Sequence, residues 1–327
     1  GTLTLNKSAT TPSGNISSGS QNIVLAKFDV KSSGEGFEGR KMGLSIANAG
    51  TVKKLTGNVT VRDSSDGTVY LTVAASTASL YTGGAQFSLS SYLNLTAGQT
   101  KTLEVVGSVD ATATSGSKYT VGIGNFYGKR LSTLDFMDGI PTAVNAGTVA
   151  NQLTVNPTSL SCYKDTSMGN VTRATGATTV VGQYICTAGT SEDVRLSNVT
   201  INFGGTGNVA NVYQNLSLWD GSTATPVQLG STVGTVASTS NNFSFDLTIA
   251  KSQTKTLKLM AYIVPGQTGT LSSSIFSANF VGKDSNNTGD ISSSVVGQTV
   301  TVGSGSLRIT ALNDASTLSR VYGPDQA

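Results

Sequence analysis

Histidine is missing from all 327 residues of this chain. That absence removes the general base on which serine and cysteine hydrolases rely, and the commonest metal ligand with it. Cysteine is nearly missing too. The only two are Cys162 and Cys186, and an isolated pair lacks the four-ligand spacing of a zinc site. Charge is sparse: 21 basic and 18 acidic residues leave a net +3, with no basic run long enough to grip a phosphate backbone. Nucleic acid is excluded as a partner on that ground. No apolar stretch reaches the roughly 18 residues that a membrane span needs, so no transmembrane segment is expected. No segment carries a sustained 3.6-residue apolar stripe with caps, so helix should be scarce. Aromatics make up 6% of residues with one tryptophan, whereas a sugar-binding module ordinarily shows clustered surface aromatics.

The acids are thin as well. Glycosidases place two carboxylates across a cleft, but the acids here sit mostly in turns, and Asp135-Phe136-Met137-Asp138-Gly139-Ile140-Pro141 reads as a turn. Asp284-Ser285-Asn286-Asn287-Thr288-Gly289-Asp290 begins like a calcium loop, with oxygen donors at alternate positions and a glycine sixth. The twelfth position is Val295, where an EF-hand needs a bidentate Glu, and the same residues suit any β-turn. No catalytic residue, cofactor or metal is expected.

What the chain does have is repetition. Gln99-Thr100-Lys101-Thr102-Leu103 returns as Gln253-Thr254-Lys255-Thr256-Leu257, a shift of 154 (253 minus 99). Val59-Thr60-Val61-Arg62-Asp63 returns as Leu216-Ser217-Leu218-Trp219-Asp220, and Phe87-Ser88-Leu89 as Phe243-Ser244-Phe245. Thr4-Leu5-Asn6 is echoed by Thr154-Val155-Asn156, and a further strand-like run, Leu307-Arg308-Ile309-Thr310, stands near the C-terminus. Ordered matches at nearly constant offset indicate a duplicated domain. The expected organisation is residues 1–150 as one repeat, 151–303 as the second, and 304–327 as a surplus strand and tail.

Within each repeat the pattern is strand after strand. Val24, Ala26, Phe28 and Val30 alternate with Lys27 and Asp29, the period-2 signature of a half-buried strand, and Val180, Gly182, Tyr184 and Cys186 take the corresponding face in the second repeat. Further candidates recur at 57–63, 85–90, 100–109, 118–124, 194–203, 212–219, 242–249, 253–263 and 270–281, separated by Gly-, Ser-, Asn- and Asp-rich breaks. The fold class is all-β: two tandem antiparallel immunoglobulin-like β-sandwiches with one surplus terminal strand. A barrel for each repeat is the alternative. The segment from 142 to 151 has no long Pro-rich or Gly/Ser spacer, so limited bending between the domains is expected.

Cys162 and Cys186 are expected to form a disulfide closing a loop worth about 3 kcal/mol. The start Gly1-Thr2-Leu3, without Met, reads as what remains after an export signal is removed, so a secreted, extracellular or cell-surface location is expected. Asn-x-Ser/Thr sequons stand at Asn6, Asn15, Asn58, Asn94, Asn170, Asn198, Asn215, Asn242 and Asn286. They offer glycosylation, though Ser and Thr are abundant enough to produce most by chance. Trp219 falls opposite the core leucines, where Arg62 stands in the first repeat. It is a carbohydrate platform, an interface anchor, or a ring shielded by a neighbouring loop.

The strand openings Leu3-Thr4-Leu5 and Leu153-Thr154-Val155, the Thr190-Ser191-Glu192-Asp193-Val194 strand entry and the duplicated Thr100–Val105 run resemble the tandem immunoglobulin-like repeats of prokaryotic cell-surface proteins, S-layer and extracellular filament subunits among them. The resemblance implies a structural or adhesive surface role, sometimes with donated strands, and supplies no catalytic residues. One terminal strand is left without a domain of its own. An exposed apolar strand needs a partner edge, and inserting it into the next copy gives a contact that propagates. The expected function is a filament subunit that polymerises with itself by donating Leu3 and Leu5, or Leu307 and Ile309. The alternatives are an S-layer tile, a fragment of a longer repeat protein, or a glycan-binding adhesin module.

Overall fold

Alternation along the strands, broken by Gly- and Asn-bearing turns, folds the chain into two β-sandwiches; the computed structural model describes residues 1–49, 55–75, 86–140 and 149–303. The first contains β1 (Thr2–Lys7), β2 (Gly14–Ser17), β3 (Ile23–Ser33), β4 (Phe37–Ala49), β5 (Leu55–Asp63), β6 (Val69–Ala74), β7 (Phe87–Leu95), β8 (Thr100–Val109), β9 (Lys118–Arg130), β10 (Phe136–Ile140) and β11 (Leu153–Asn156). The second contains β12 (Leu160–Lys164), β13 (Val171–Arg173), β14 (Thr178–Ala188), β15 (Val194–Thr206), β16 (Tyr213–Asp220), β17 (Val227–Thr235), β18 (Asn241–Ile249), β19 (Thr254–Ile263), β20 (Gly269–Gly282), β21 (Thr288–Ile291) and β22 (Val295–Val302). A short helical turn, Val209–Val212, is capped by the Asn208 side chain.

One sheet of the first sandwich runs β1-β3-β8-β5-β6 and the other β2-β11-β9-β4-β7, with β10 alongside β9. The second sandwich repeats this order element for element: β12-β14-β19-β16-β17 faces β13-β22-β20-β15-β18, with β21 alongside β20. Pairing is antiparallel except at β2/β11 and β13/β22, which are parallel. Two separate sheets per repeat make each a sandwich and not a barrel.

The inner faces form two cores. Phe28, Val30, Leu44, Val61, Leu103 and Ile123 are wholly buried in the first, and Tyr184, Cys186, Ile201, Leu216, Leu257 and Ile275 in the second. Each such side chain contributes about 1.5–3 kcal/mol on burial. A register shift between Val24 and Ala26 turns Leu25 inward, so the face expected to begin at Val24 begins one residue later.

Leu153-Thr154-Val155 does not open the second domain. As β11 it pairs antiparallel with β9 and parallel with β2, and Leu153 and Val155 lie in the first core. The structural counterpart of β1 is β12, and that of β11 is β22. The boundary expected at 150/151 therefore moves to the connection Pro157-Thr158-Ser159. A short strand alternating Leu or Val with Thr reads the same in either sheet, because only its hydrogen-bonded neighbours distinguish the two. The N-terminal strand, one of the two candidates for donation, has a partner within its own sandwich. β1 pairs with β3 along its whole length, Leu5 is buried and Leu3 packs against the same core. Leu307 and Ile309, with all of 304–327, lie outside the described residues.

Cys162 and Cys186 face one another across β12 and β14, with Cα atoms 4.1 Å apart, and are joined as a disulfide. The equivalent pair in the first sandwich is Leu5 and Val30 across β1 and β3. The opening strand is thus held by an apolar pair in one copy and by a covalent bond in the other.

Candidate functional site: the joint between the sandwiches

The Thr190–Val194 strand entry carries a buried acid, Glu192, only 1% exposed. A carboxylate there requires several donors. The backbone N–H groups of Asp284 and Ser285 supply two, at 2.7 and 2.9 Å, the Ser285 hydroxyl a third at 2.6 Å, and the Thr158 hydroxyl a fourth. Burial pushes the Glu192 carboxyl up, but the Ser285 and Thr158 hydrogen bonds outweigh it and hold it below the ordinary range. Asp284 moves the other way, raised by burial and by the Glu192 and Asp193 charges.

This anchoring presents the loop after β20 to the first sandwich. Asp284 O accepts from the Gln21 N–H at 3.0 Å, and the Asn287 amide donates to Ser18 O at 2.7 Å. Beside them Ser17, fully buried, donates to the Ser191 hydroxyl at 2.9 Å and meets Thr158 at 3.2 Å, and the Asn15 amide donates to Thr190 at 2.7 Å. Contacts from β2, the β2–β3 turn, the connection and the β20–β21 turn meet at one place. The arrangement fixes one sandwich against the other. The loop that began like a calcium site is therefore built into the joint, with Thr288 to Ile291 in strand β21.

No protein-family model matches the chain, and no curated protein matches it in sequence. Among solved structures it is similar to a family 123 glycoside hydrolase of Clostridium perfringens, at 8% identity and a TM-score of 0.26 over 48% of this chain; it spans only 28% of that one. It is similar to the C-terminal domain of the antigen I/II polypeptide BspA of Streptococcus agalactiae, at 11% identity and a TM-score of 0.25, covering 92% of this chain and 99% of that one. The C-terminal domain of the antigen I/II-family protein AspA of Streptococcus pyogenes gives 8% identity and a TM-score of 0.25, with 92% and 98% covered. At these values the likeness carries no argument about architecture or role.

The duplicated sequence runs resolve into a duplicated ion pair. Lys101 of the first Gln-Thr-Lys-Thr-Leu lies 2.8 Å from Asp63, and Lys255 of the second lies 2.7 Å from Asp220. Both aspartates also accept from the backbone two residues on, Ser65 and Ser222. Burial pushes Asp63 up, but Lys101 and Ser65 outweigh it and hold the carboxyl at about 2. Reading the repeats as strands alone misses this pairing; the signal was that Asp and Lys recur together. Other buried acids are similarly committed, Glu104 to Lys27 and Arg62 and Asp165 to Gln183 and Ser167.

Trp219 is half-buried on the outer sheet face, its indole N–H donating to Ser217 at 2.9 Å. Its strand neighbours are Lys258 and Gln228, where Arg62 in the first copy faces Glu104. Of the sequons, Asn6, Asn58, Asn94, Asn170, Asn215, Asn242 and Asn286 are exposed. Asn15 and Asn198 are half-buried, and Asn15 is engaged in the joint. No helix among the described residues is long and apolar enough to cross a membrane.

Proposed function

We propose that the chain is a structural subunit of an extracellular filament, joined head to tail through a strand from the segment after residue 303. The supporting observation is completeness. β12 to β22 fill every place in the second sandwich that β1 to β11 fill in the first, and the last strand ends at Val302. On this reading the run Leu307-Arg308-Ile309-Thr310 is the surplus strand. In sequence it follows β22 by five residues (307 minus 302) as β12 follows β11 by four (160 minus 156), the spacing of an opening strand. Laid on a free edge of the next copy, its backbone groups pair and its two apolar side chains contribute about 3–6 kcal/mol before ordering costs. Such a contact is heterologous and propagates. The fastened joint supports this reading, since a subunit that does not bend keeps a constant rise.

The same placement also favours a second reading, in which 307–310 opens a third sandwich of a longer array. Electron microscopy of the purified chain separates the two. Filaments from the wild type, and folded monomers from a Leu307→Asp/Ile309→Asp variant, are the expected result. Monodisperse particles from both chains identify an array fragment, and a two-dimensional lattice an S-layer tile. Asp at Leu3 and Leu5 is not a parallel test, because these residues belong to the first core.

A further inference from the structure

The segment Asp135–Pro141, expected as a turn, contains strand β10, and its pairing with β9 brings Phe136 up beside Tyr127. The two rings stack at 5.5 Å and 14°. The Arg40 guanidinium lies 5.1 Å from the Phe136 ring and 5.1 Å from that of Tyr92, while the Lys41 ammonium lies 5.3 Å from Tyr127. Four strands (β4, β7, β9 and β10) thus assemble a continuous cation–aromatic ladder on the outer face of one sheet. Tyr92 and Phe136 are each 51% exposed. Composition concealed this cluster because its members lie far apart in sequence.

The second sandwich acts as an internal control. Strand registers match Tyr92 with Asp246, Arg40 with Ser197, Lys41 with Asn198, Tyr127 with Asn279, and Phe136 with Thr288. None of the five is aromatic or basic, yet the sheet order is the same. The ladder is therefore not a requirement of the fold. It also carries three cations, Arg40, Lys41 and Lys129, against two acids, Glu38 and Asp138, the latter held by the Gln86 amide. Glu38 is bound to Arg40 at 2.7 Å, and among the described residues neither Lys41 nor Lys129, the strand partner of Glu38, forms an ion pair.

We propose that this face of the first sandwich binds acidic polysaccharide, the exposed rings taking the apolar faces of the sugars and the basic side chains their carboxylates. Ring faces favour the C–H surfaces of pyranoses, and charge-assisted bonds to a carboxylate give the preference for uronates over neutral sugars. The inference is independent of filament formation.

The probe is polygalacturonate in affinity gel electrophoresis of the full chain, with dextran and polyglutamate as comparisons. Retardation by polygalacturonate that weakens with salt, with none by dextran, is expected. Tyr127→Asn/Phe136→Thr copies residues that the second sandwich already tolerates, and should weaken retardation at least about tenfold without moving the melting temperature. Tyr92→Ser and Lys41→Gln/Lys129→Gln should each weaken it as well, and Trp219→Ala should not. Absence of retardation by polygalacturonate overturns the proposal. So does retardation by polyglutamate to the same degree with no effect of the aromatic substitutions, which would leave charge alone. Loss of self-association in the aromatic variant without polysaccharide, seen by sedimentation, would make the face an interface between copies and overturn it too.

Discussion

Asp63 and Lys101 show how a residue pair becomes a pH dependence. The Asp63 side chain is buried and its carboxyl is held at about 2, below its value in an unfolded chain, so its contribution is present above the ordinary carboxylate range and is lost as pH falls toward 2. That contribution is on the order of 2 kcal/mol. Asp63→Asn should destabilise the first sandwich by about 2–3 kcal/mol at pH 7, and the gap to wild type should narrow between about pH 4 and pH 2. Urea denaturation of both proteins across that range checks it, and a gap independent of pH would assign the effect to packing. Gly282 is a residue-scale constraint of another kind. A Cβ there would stand 2.3 Å from Glu192 Oε1, and this carboxylate, bound by four donors, has little freedom to withdraw. Gly282→Ala should therefore loosen the joint, seen as faster amide exchange at Gln21, whose N–H crosses it.

At the scale of elements, the opening strand of each sandwich pairs with one neighbour and needs a fastening. β12 has the Cys162–Cys186 disulfide and β1 the Leu5–Val30 pair. Reduction should cost the second sandwich about 3 kcal/mol and leave the first unchanged. Leu5→Ala should cost the first about 2–3 kcal/mol and leave the second unchanged. Calorimetry with and without reductant resolves the two, and a reductant-sensitive first transition would refute the assignment. The legibility of the elements followed the same physics. Thr100–Val109 was plain from its sequence because Leu103, Val105 and Val109 alternate with Glu104 and Ser108, a strand signal. β4 was missed because Gly39, Arg40, Lys41 and Gly43 break that alternation, and the structure absorbs them as two register shifts against β9. β17, Val-Gln-Leu-Gly-Ser-Thr-Val-Gly-Thr, is an exposed edge with too little apolar content to be recognised. The duplication was legible, but its phase was not, since β11 and β1 share a pattern while belonging to different sheets. The joint was expected at 142–151, whereas the connection runs through Pro157-Thr158-Ser159; its polar contacts depend on turns brought together from about 270 residues apart (287 minus 18).

For the whole molecule, the question is whether two sandwiches behave as one body, and Glu192 decides it. Its lowered carboxyl contributes to the joint above the ordinary carboxylate range, and the contribution is lost as pH falls through its folded value. Asp284, with its carboxyl raised, opposes this, because its charged form is the disfavoured one in the folded joint. Glu192→Gln leaves one oxygen facing two of the four donors and turns an amide N–H₂ toward the other two, at a cost of about 2–3 kcal/mol. Both cores stay intact, so the expected outcome is a hinge: small-angle scattering at pH 7 should show a broader spread of maximum dimension for Glu192→Gln than for wild type, with near-identical far-UV spectra. Wild type should approach the variant as the solution is acidified below the ordinary carboxylate range. If the two scatter alike at pH 7, the contacts at Ser17, Gln21 and Asn287 hold the joint without the carboxylate. In a filament a hinge at every subunit would shorten the persistence length, so the same substitution should leave polymerisation intact while making the polymers visibly more curved.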